Sequence, residues 1–285
     1  MAESVRQGPS RGRSAERDRP PGEPGILHPA DAVQHFDYQR HPPDEQLAPF
    51  VLNFWTVVWD LRDQRPFTAQ VLPYPSVNLS VTNTEADVTG VTRRRYDRHL
   101  AGRGYVVGAR FRPGCFRPFL SGPVASLTDR RRPISEVLGR ASDVLQGAVA
   151  ATSDCGERVD LLTSFLLQEL PPRDPRAEEI ALLVDEIATR ADLVRVEQVA
   201  ALAQLGVRRL QRLFAEYVGA APKWVILRCR LQDAAARAAE DDPQDWAALA
   251  VELGFSDQAH LTRVFSQTIG TPPAAYAARV RSGAS

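Results

Sequence analysis

Five residues in the last third of the chain recur at one offset. Leu210, Arg212, Phe214, Gly219 and Pro222 return 51 positions later as Leu261, Arg263, Phe265, Gly270 and Pro273, and self-similarity at a fixed spacing marks a repeated structural unit. Within each copy, the side chains able to do chemistry are the arginines and their amide neighbours. On a helical period Arg208, Gln211, Arg212 and Ala215 share one face, with Arg209 beside them, opposite an apolar stripe of Leu210, Leu213, Phe214 and Tyr217. In the second copy Leu261, Val264 and Phe265 point inward, Gln258, Ala259, Thr262, Arg263 and Ser266 face out, and His260 lies at the margin. A guanidinium bonds bidentately to guanine O6 and N7, and a carboxamide to adenine N6 and N7, so these faces suit the reading of base edges. Ser256 is read as the N-cap of the second such helix, whose amides would also hold a phosphate. A lone amphipathic helix with solvated arginines would look the same. Two copies at a fixed offset, each closed by glycine and proline, favour a repeated reader.

The elements that must position these side chains are short. Each copy reads as a brief helix, a turn and a second helix, VEQVAALAQLGVRRLQRLFAEY and then DWAALAVELGFSDQAHLTRVFSQT, which is the helix-turn-helix arrangement. The stretch AALAQLGVRRLQRLFAEYVGAAPKWVILRCRL, with LAVELGFSDQAHLTRVFSQTIGTPPAAY after it, closely resembles the C-terminal DNA-binding domain of AraC/XylS-type transcription regulators over about residues 176–282. That resemblance implies a seven-helix domain in which a long helix, here about Pro222 to Glu240, joins two helix-turn-helix units whose recognition helices enter successive major grooves. It implies base contacts from Arg208, Arg209, Gln211 and Arg212 in the first unit and from Gln258, His260 and Arg263 in the second. Three positions depart from the pattern: Gly206 and Arg195 stand where Ser or Thr caps are usual, and Val225 replaces an aromatic residue, with Trp224 expected to fill the space.

Charge constrains how such a domain binds. The chain carries 35 Lys+Arg against 35 Asp+Glu, and residues 176–285 hold 13 basic and 14 acidic side chains. A field-wide attraction to phosphate is therefore absent, and affinity must come from where the arginines sit, with Glu240, Asp241, Asp242 and Asp245 away from the phosphates.

The first half has another character. Residues 1–28 are rich in Arg, Gly, Pro and Ser and read as a disordered tail. Residues 29–172 hold β-branched and aromatic runs (50–61, 68–75, 76–82, 86–91, 105–114), then two helices, Ser135 to Ala150 and Glu157 to Leu170. PPRDPR at 171–176 marks the boundary, Asp174 and Pro175 opening the first helix of an all-α domain over 173–285 with about six more helices. The fold class is thus α+β in two domains, a mostly-β domain with trailing helices followed by the double helix-turn-helix domain. LAPFVLNFWTV, VLPYPSVNLSV and GARFRPGCFRPFLSGPVASLTDRRRPISEVLG resemble the N-terminal domain of a subgroup of the same regulators, and a cupin-like barrel follows by analogy alone.

Residues that could hold an effector in that domain are Tyr74, Ser76 and Asn78, on one side of a strand by period two, and Arg110 and Arg112, on one sheet face around Phe111. Eleven arginines between Arg93 and Arg132 face only Asp97 and Asp129 in that span, and the solvated face of hairpins accounts for most of them. Cys115 after the Pro-Gly turn offers a redox or alkylation sensor against a plain structural thiol. The spacing of Cys115, Cys155 and Cys229 indicates neither a disulfide framework nor zinc, and His28, His35, His41 and His99 form no short-spaced metal cluster. No cofactor, catalytic residue or membrane segment is read, and the expected location is the cytoplasm. The expected partners are double-stranded promoter or operator DNA, a small-molecule effector, RNA polymerase and a second copy in a homodimer. The rival classes are a DNA-repair or redox-sensing regulator using Cys115 and a helical protein-interaction adaptor.

Overall fold

The computed structural model describes residues 25–238 and 245–283. Residues 1–24 of the expected tail, and Glu240, Asp241 and Asp242, lie outside them. Residues 25–28 are not tail-like, which corrects the boundary at 28. The Gly25 carbonyl accepts from the Leu72 amide, Ile26 bridges to Val71, and Leu27 and His28 are buried. The reason lies in the sequence: Ile26 and Leu27 end the tail with two apolar side chains that the domain can bury.

A short helix, α1 (Pro29–Ala32), leads into strand β1 (Asp37–His41). The remaining strands are β2 (Val51–Leu61), β3 (Phe67–Val71), β4 (Asn78–Val81), β5 (Ala86–Thr89), β6 (Tyr96–Leu100), β7 (Gly102–Phe111) and β8 (Arg131–Pro133). Six form an antiparallel sheet in the order β1-β2-β7-β4-β5-β8, while β3 and β6 pair as a separate two-stranded ribbon. The cupin-like barrel is therefore corrected. Because β3 and β6 pair with each other, β1 and β8 are left as open edges and no pairing among the described residues closes the sheet. Strands β1, β6 and β8 escaped the sequence reading because DYQRH, YDRHL and RRP carry no apolar alternation; tertiary pairing makes them strands.

Period two divides the sheet. Phe54, Leu79, Val81, Val107, Ala109 and Phe111 are buried in one core with residues of the helices that follow, including Val149 and Leu162. Trp55, Val57, Asn78, Ser80, Val106 and Arg110 point to the other face. The helix expected over Ser135 to Ala150 is two, α2 (Ile134–Leu138) and α3 (Asp143–Ala151), because Gly139 caps the first at φ 67°. Helix α4 (Cys155–Leu167) follows, capped by the Asp154 carboxylate on the Glu157 amide.

Asp174 caps α5 (Pro175–Thr189) at the Arg176 amide, with proline at its start. Six more helices follow among the described residues: α6 (Val196–Leu202), α7 (Val207–Leu213), α8 (Pro222–Ala238), α9 (Trp246–Glu252), α10 (Gln258–Ile269) and α11 (Pro273–Gly283). A π-turn, Phe214–Val218, extends α7. The last part of the expected Pro222–Glu240 helix lies outside the described residues. Val225 is wholly buried, and the half-buried Trp224 carries the Arg228 guanidinium over its ring at 4.8 Å.

The two parts share cores. Tyr74 and Val91 pack among residues of α5 to α8, and Leu27 and Leu72 pack among those of α8 to α11. Polar contacts run beside them. Arg228 donates to the Arg93 carbonyl at 2.6 Å, Arg95 to the Ile269 carbonyl at 2.6 Å, and Thr128 to the Gly219 carbonyl. Arg117 pairs with Glu216 at 2.7 Å.

Candidate functional site

The first helix-turn-helix unit is α6, a turn and α7. Arg195 has no oxygen with which to cap α6, and the Gln198 side chain substitutes. Its Oε1 accepts from the Val194 and Arg195 amides, and its Nε2 donates to the Asp192 carbonyl. The turn passes through Gln204 at φ 53°, the left-handed region. Gly206 precedes α7 without a side-chain cap. Leu210 and Phe214 are buried, with Leu213 and Tyr217 packed against the same core, so the stripe faces inward as its spacing requires. Arg208, Arg209, Gln211 and Arg212 are exposed.

The second unit is α9, a turn and α10. Asp245 caps α9 with bonds from the Ala247 and Ala248 amides. The cap of α10 is Asp257, not Ser256: its carboxylate accepts from the His260 amide at 2.7 Å, and that bond holds the carboxyl below its usual range. An aspartate already occupies the amides expected for a phosphate. Ser256 instead bonds His260 Nδ1 at 3.1 Å, and the His260 ring meets Phe255 edge-on at 5.4 Å. Both residues thus brace the turn. Leu261 and Phe265 are buried, while Gln258, Ala259, Thr262, Arg263 and Ser266 line one shallow outward groove. Thr262 and Ser266 join the candidate reading face through this groove.

Many arginines outside these two helices are ion-paired. Arg93 pairs with Asp129, Arg95 with Asp97, Arg131 with Glu85 and Asp87, Arg132 with Glu136 and Arg237 with Glu252. With Arg98, Arg112 and Arg117, which reach Glu85, Asp185 and Glu216, seven of the eleven arginines in the 93–132 run carry an ion pair. Arg208, Arg209, Arg212 and Arg263 make no ion pair among the described residues. The repeat is also geometric, because α7 with its π-turn and α10 both end on left-handed glycines, Gly219 at φ 85° and Gly270 at φ 96°, before Pro222 and Pro273 open the next helices.

A second site lies on the free face of the sheet. The ribbon β3–β6 covers it, enclosing a cavity of about 190 Å³ into which Tyr74, Ser76, Asn78 and Arg110 project. Four of the five predicted effector residues are thus brought together. Arg112 is not: β7 ends at Phe111, and the Arg112 guanidinium turns outward to Asp185 of α5 at 3.4 Å. Trp55 and Trp59, which strand periodicity does not single out, also line the cavity, and their indoles lie over Gly108 and Gly104. A Cβ on either glycine would come within 2.4 Å of the ring. The readable signal was glycine inside a strand, which marks close approach.

Cys115 is buried, its thiol faces the Ala177 carbonyl at 3.7 Å, and burial pushes its pKa up to about 12. A thiol so disinclined to ionise is a poor nucleophile, which corrects the sensor reading in favour of the structural one. No helix among the described residues is long and apolar enough to cross a membrane.

Two helix-turn-helix units, each presenting its second helix outward, form the architecture of a protein that reads DNA sequence. Residues 199–279 match a family model described as a helix-turn-helix domain, and residues 39–133 match a domain of unknown function (DUF6597). The chain is similar to the DNA-binding domain of the global transcriptional factor AdpA, solved in complex with a target DNA, at 29% identity over 38% of this chain and 95% of that one (TM-score 0.32). It is also similar to an AraC-type regulator from Chromobacterium violaceum, at 21% identity over 37% and 92% of the two chains (TM-score 0.31). To ToxT from Vibrio cholerae it is similar at 11% identity over 86% and 98% (TM-score 0.38). Residues 199–279 of the chain are thus a helix-turn-helix domain, and over that part it is similar to DNA-binding domains of AraC-type regulators.

Proposed function

We propose that the protein reads a bipartite operator by laying α7 and α10 into successive major grooves, and that its N-terminal domain senses a small molecule. The observation that carries the DNA reading is the doubled unit whose outward arginines, Arg208, Arg209, Arg212 and Arg263, are neutralised by no carboxylate of the described residues. Gln211 and Gln258 supply amides beside them. Ser256 and His260, which brace the turn, act on DNA through the orientation of α10. The sensing reading is supported by the convergence of Tyr74, Asn78 and Arg110 on one cavity.

Footprinting on the DNA upstream of the protein's own coding region tests the first part. Arg212→Ala and Arg263→Ala should each weaken specific binding by about 1–3 kcal/mol and relax discrimination at base positions one DNA turn apart. Unchanged footprints from both variants overturn the proposal. With 13 basic against 14 acidic side chains in residues 176–285, non-specific binding should be weak and should vanish at modest salt.

A further inference from the structure

The cavity under the ribbon is built for a particular chemistry. Its floor is flat and aromatic, because Gly104 and Gly108 let the indoles of Trp59 and Trp55 lie down on β7. Its polar atoms converge without being consumed. The hydroxyls of Tyr38, Tyr74 and Ser76 and the indole N–H of Trp55 are shut off from solvent, with no hydrogen-bond partner among the described residues. Tyr74 and Ser76 are 5% and 2% exposed. A buried polar group left without a partner costs on the order of 1–3 kcal/mol, so four on one cavity call for something to bond to. All four can donate. Among the described residues the charge of the lining has one sign: it contains Arg98, Arg110 and Arg131 and no carboxylate. Arg131 and Arg98 reach Glu85 at the rim, while Arg110 sits deep, 9% exposed, at the tyrosine hydroxyls' end of the site. The volume sets the size, since a cavity of about 150 Å³ takes benzene and one of about 190 Å³ takes a ring with small substituents.

We propose that this cavity binds a planar, single-ring aromatic anion, its ring on the Trp55 and Trp59 indoles and its anionic oxygens toward Arg110 and the hydroxyls of Tyr38 and Tyr74. Offset stacking on an indole favours a flat ring over a puckered one. A guanidinium flanked by hydroxyl donors favours an anion over a neutral amide of the same shape. This rests on reading the N-terminal domain as a sensor and does not depend on how the DNA is read.

The test uses the full chain and three probes: 4-hydroxybenzoate, 4-hydroxybenzamide and cyclohexanecarboxylate. Titration calorimetry, with tryptophan fluorescence reporting the floor, should show one site for 4-hydroxybenzoate. The other two should bind at least tenfold more weakly, the amide for want of charge and the cyclohexane acid for want of a flat face. Arg110→Met should bring the acid and the amide to equal affinity. Tyr38→Phe removes a single oxygen and should weaken the acid about three- to tenfold. The melting transition shows whether each variant has folded, and if Arg110→Met does not fold, Tyr38→Phe carries the test. Equal affinity of the wild type for acid and amide overturns the proposal. So does the absence of heat and fluorescence change with all three probes at millimolar concentration. An operator footprint run on the same preparation reports the DNA reading separately, so the two failures are distinct.

Discussion

Gln204 is the residue on which the first helix-turn-helix unit turns, and it is the wrong type for its backbone. At φ 53° it sits in the left-handed region, where a Cβ costs roughly 1 kcal/mol and glycine costs little. The second unit makes the equivalent turn with Gly254 at φ 77°. Gln204→Gly should therefore stabilise the protein by about 0.5–1 kcal/mol, less than the full strain because glycine also widens the unfolded ensemble. Urea unfolding measures it, and a loss of stability would show that the Gln204 side chain contributes something its exposure does not reveal. The cysteines make a second residue-scale case. Burial pushes the Cys115 and Cys229 thiols up to about 12, whereas Cys155 is half-buried at the start of α4. Brief iodoacetamide treatment of the native protein at neutral pH should label Cys155 first, with Cys115 and Cys229 following only on unfolding. Peptide mass spectrometry reads this, and rapid native labelling of Cys115 would restore it as a sensor candidate.

At the scale of elements, each recognition helix ends on a glycine that cannot be exchanged cheaply. A Cβ on Gly270, at φ 96°, would lie 2.3 Å from the Arg95 guanidinium, which donates to the adjacent Ile269 carbonyl. Gly270→Ala should cost about 1–2 kcal/mol of stability from the backbone alone, more where Arg95 is forced off α10, and thermal unfolding measures the loss. Elements were legible in the sequence where local chemistry decides them. The Asp174–Pro175 start of α5, the Asp245 cap of α9 and the paired glycine–proline stops are all short-range signals. So is the inward stripe Leu210, Phe214, Leu261 and Phe265. What was not legible depends on tertiary pairing. Strands β1 and β6 are polar and exist because β2 and β3 offer them edges, and the open sheet replaces the barrel because β6 chose β3. At the candidate sites the same division holds. Tyr74, Asn78 and Arg110 were found by period two. Arg112 was lost because the strand ends one residue before it, and Asp257 took the cap from Ser256 because the turn is one residue longer than in the first unit.

In the whole molecule, the chain's N-terminal segment is part of the C-terminal domain's packing. His28 lies 4.8 Å from the Tyr276 ring of α11, and burial, reinforced by Arg279 and Arg95 and opposed by Asp31, holds its pKa below 6.5. The sign follows from linkage: below pH 6.5 the unfolded chain takes a proton that folded His28 refuses, so stability present at neutral pH is lost as the pH falls. Melting temperature should drop between pH 7.5 and 5.5, and His28→Gln should drop less. A drop of equal size would place the acid sensitivity elsewhere. The wall between cavity and DNA-binding domain is one strand thick. Ile26, Val71, Thr92 and Tyr96 line the cavity, while their neighbours Leu27, Leu72, Val91 and Arg95 pack against or bond to the helical domain. Such a partition works as a balance with two pans. If a ligand in the cavity changes operator affinity by some factor, as the proposed function implies, the operator must change the ligand's affinity by the same factor, so on that proposal the promoter itself acts as an effector of the N-terminal domain.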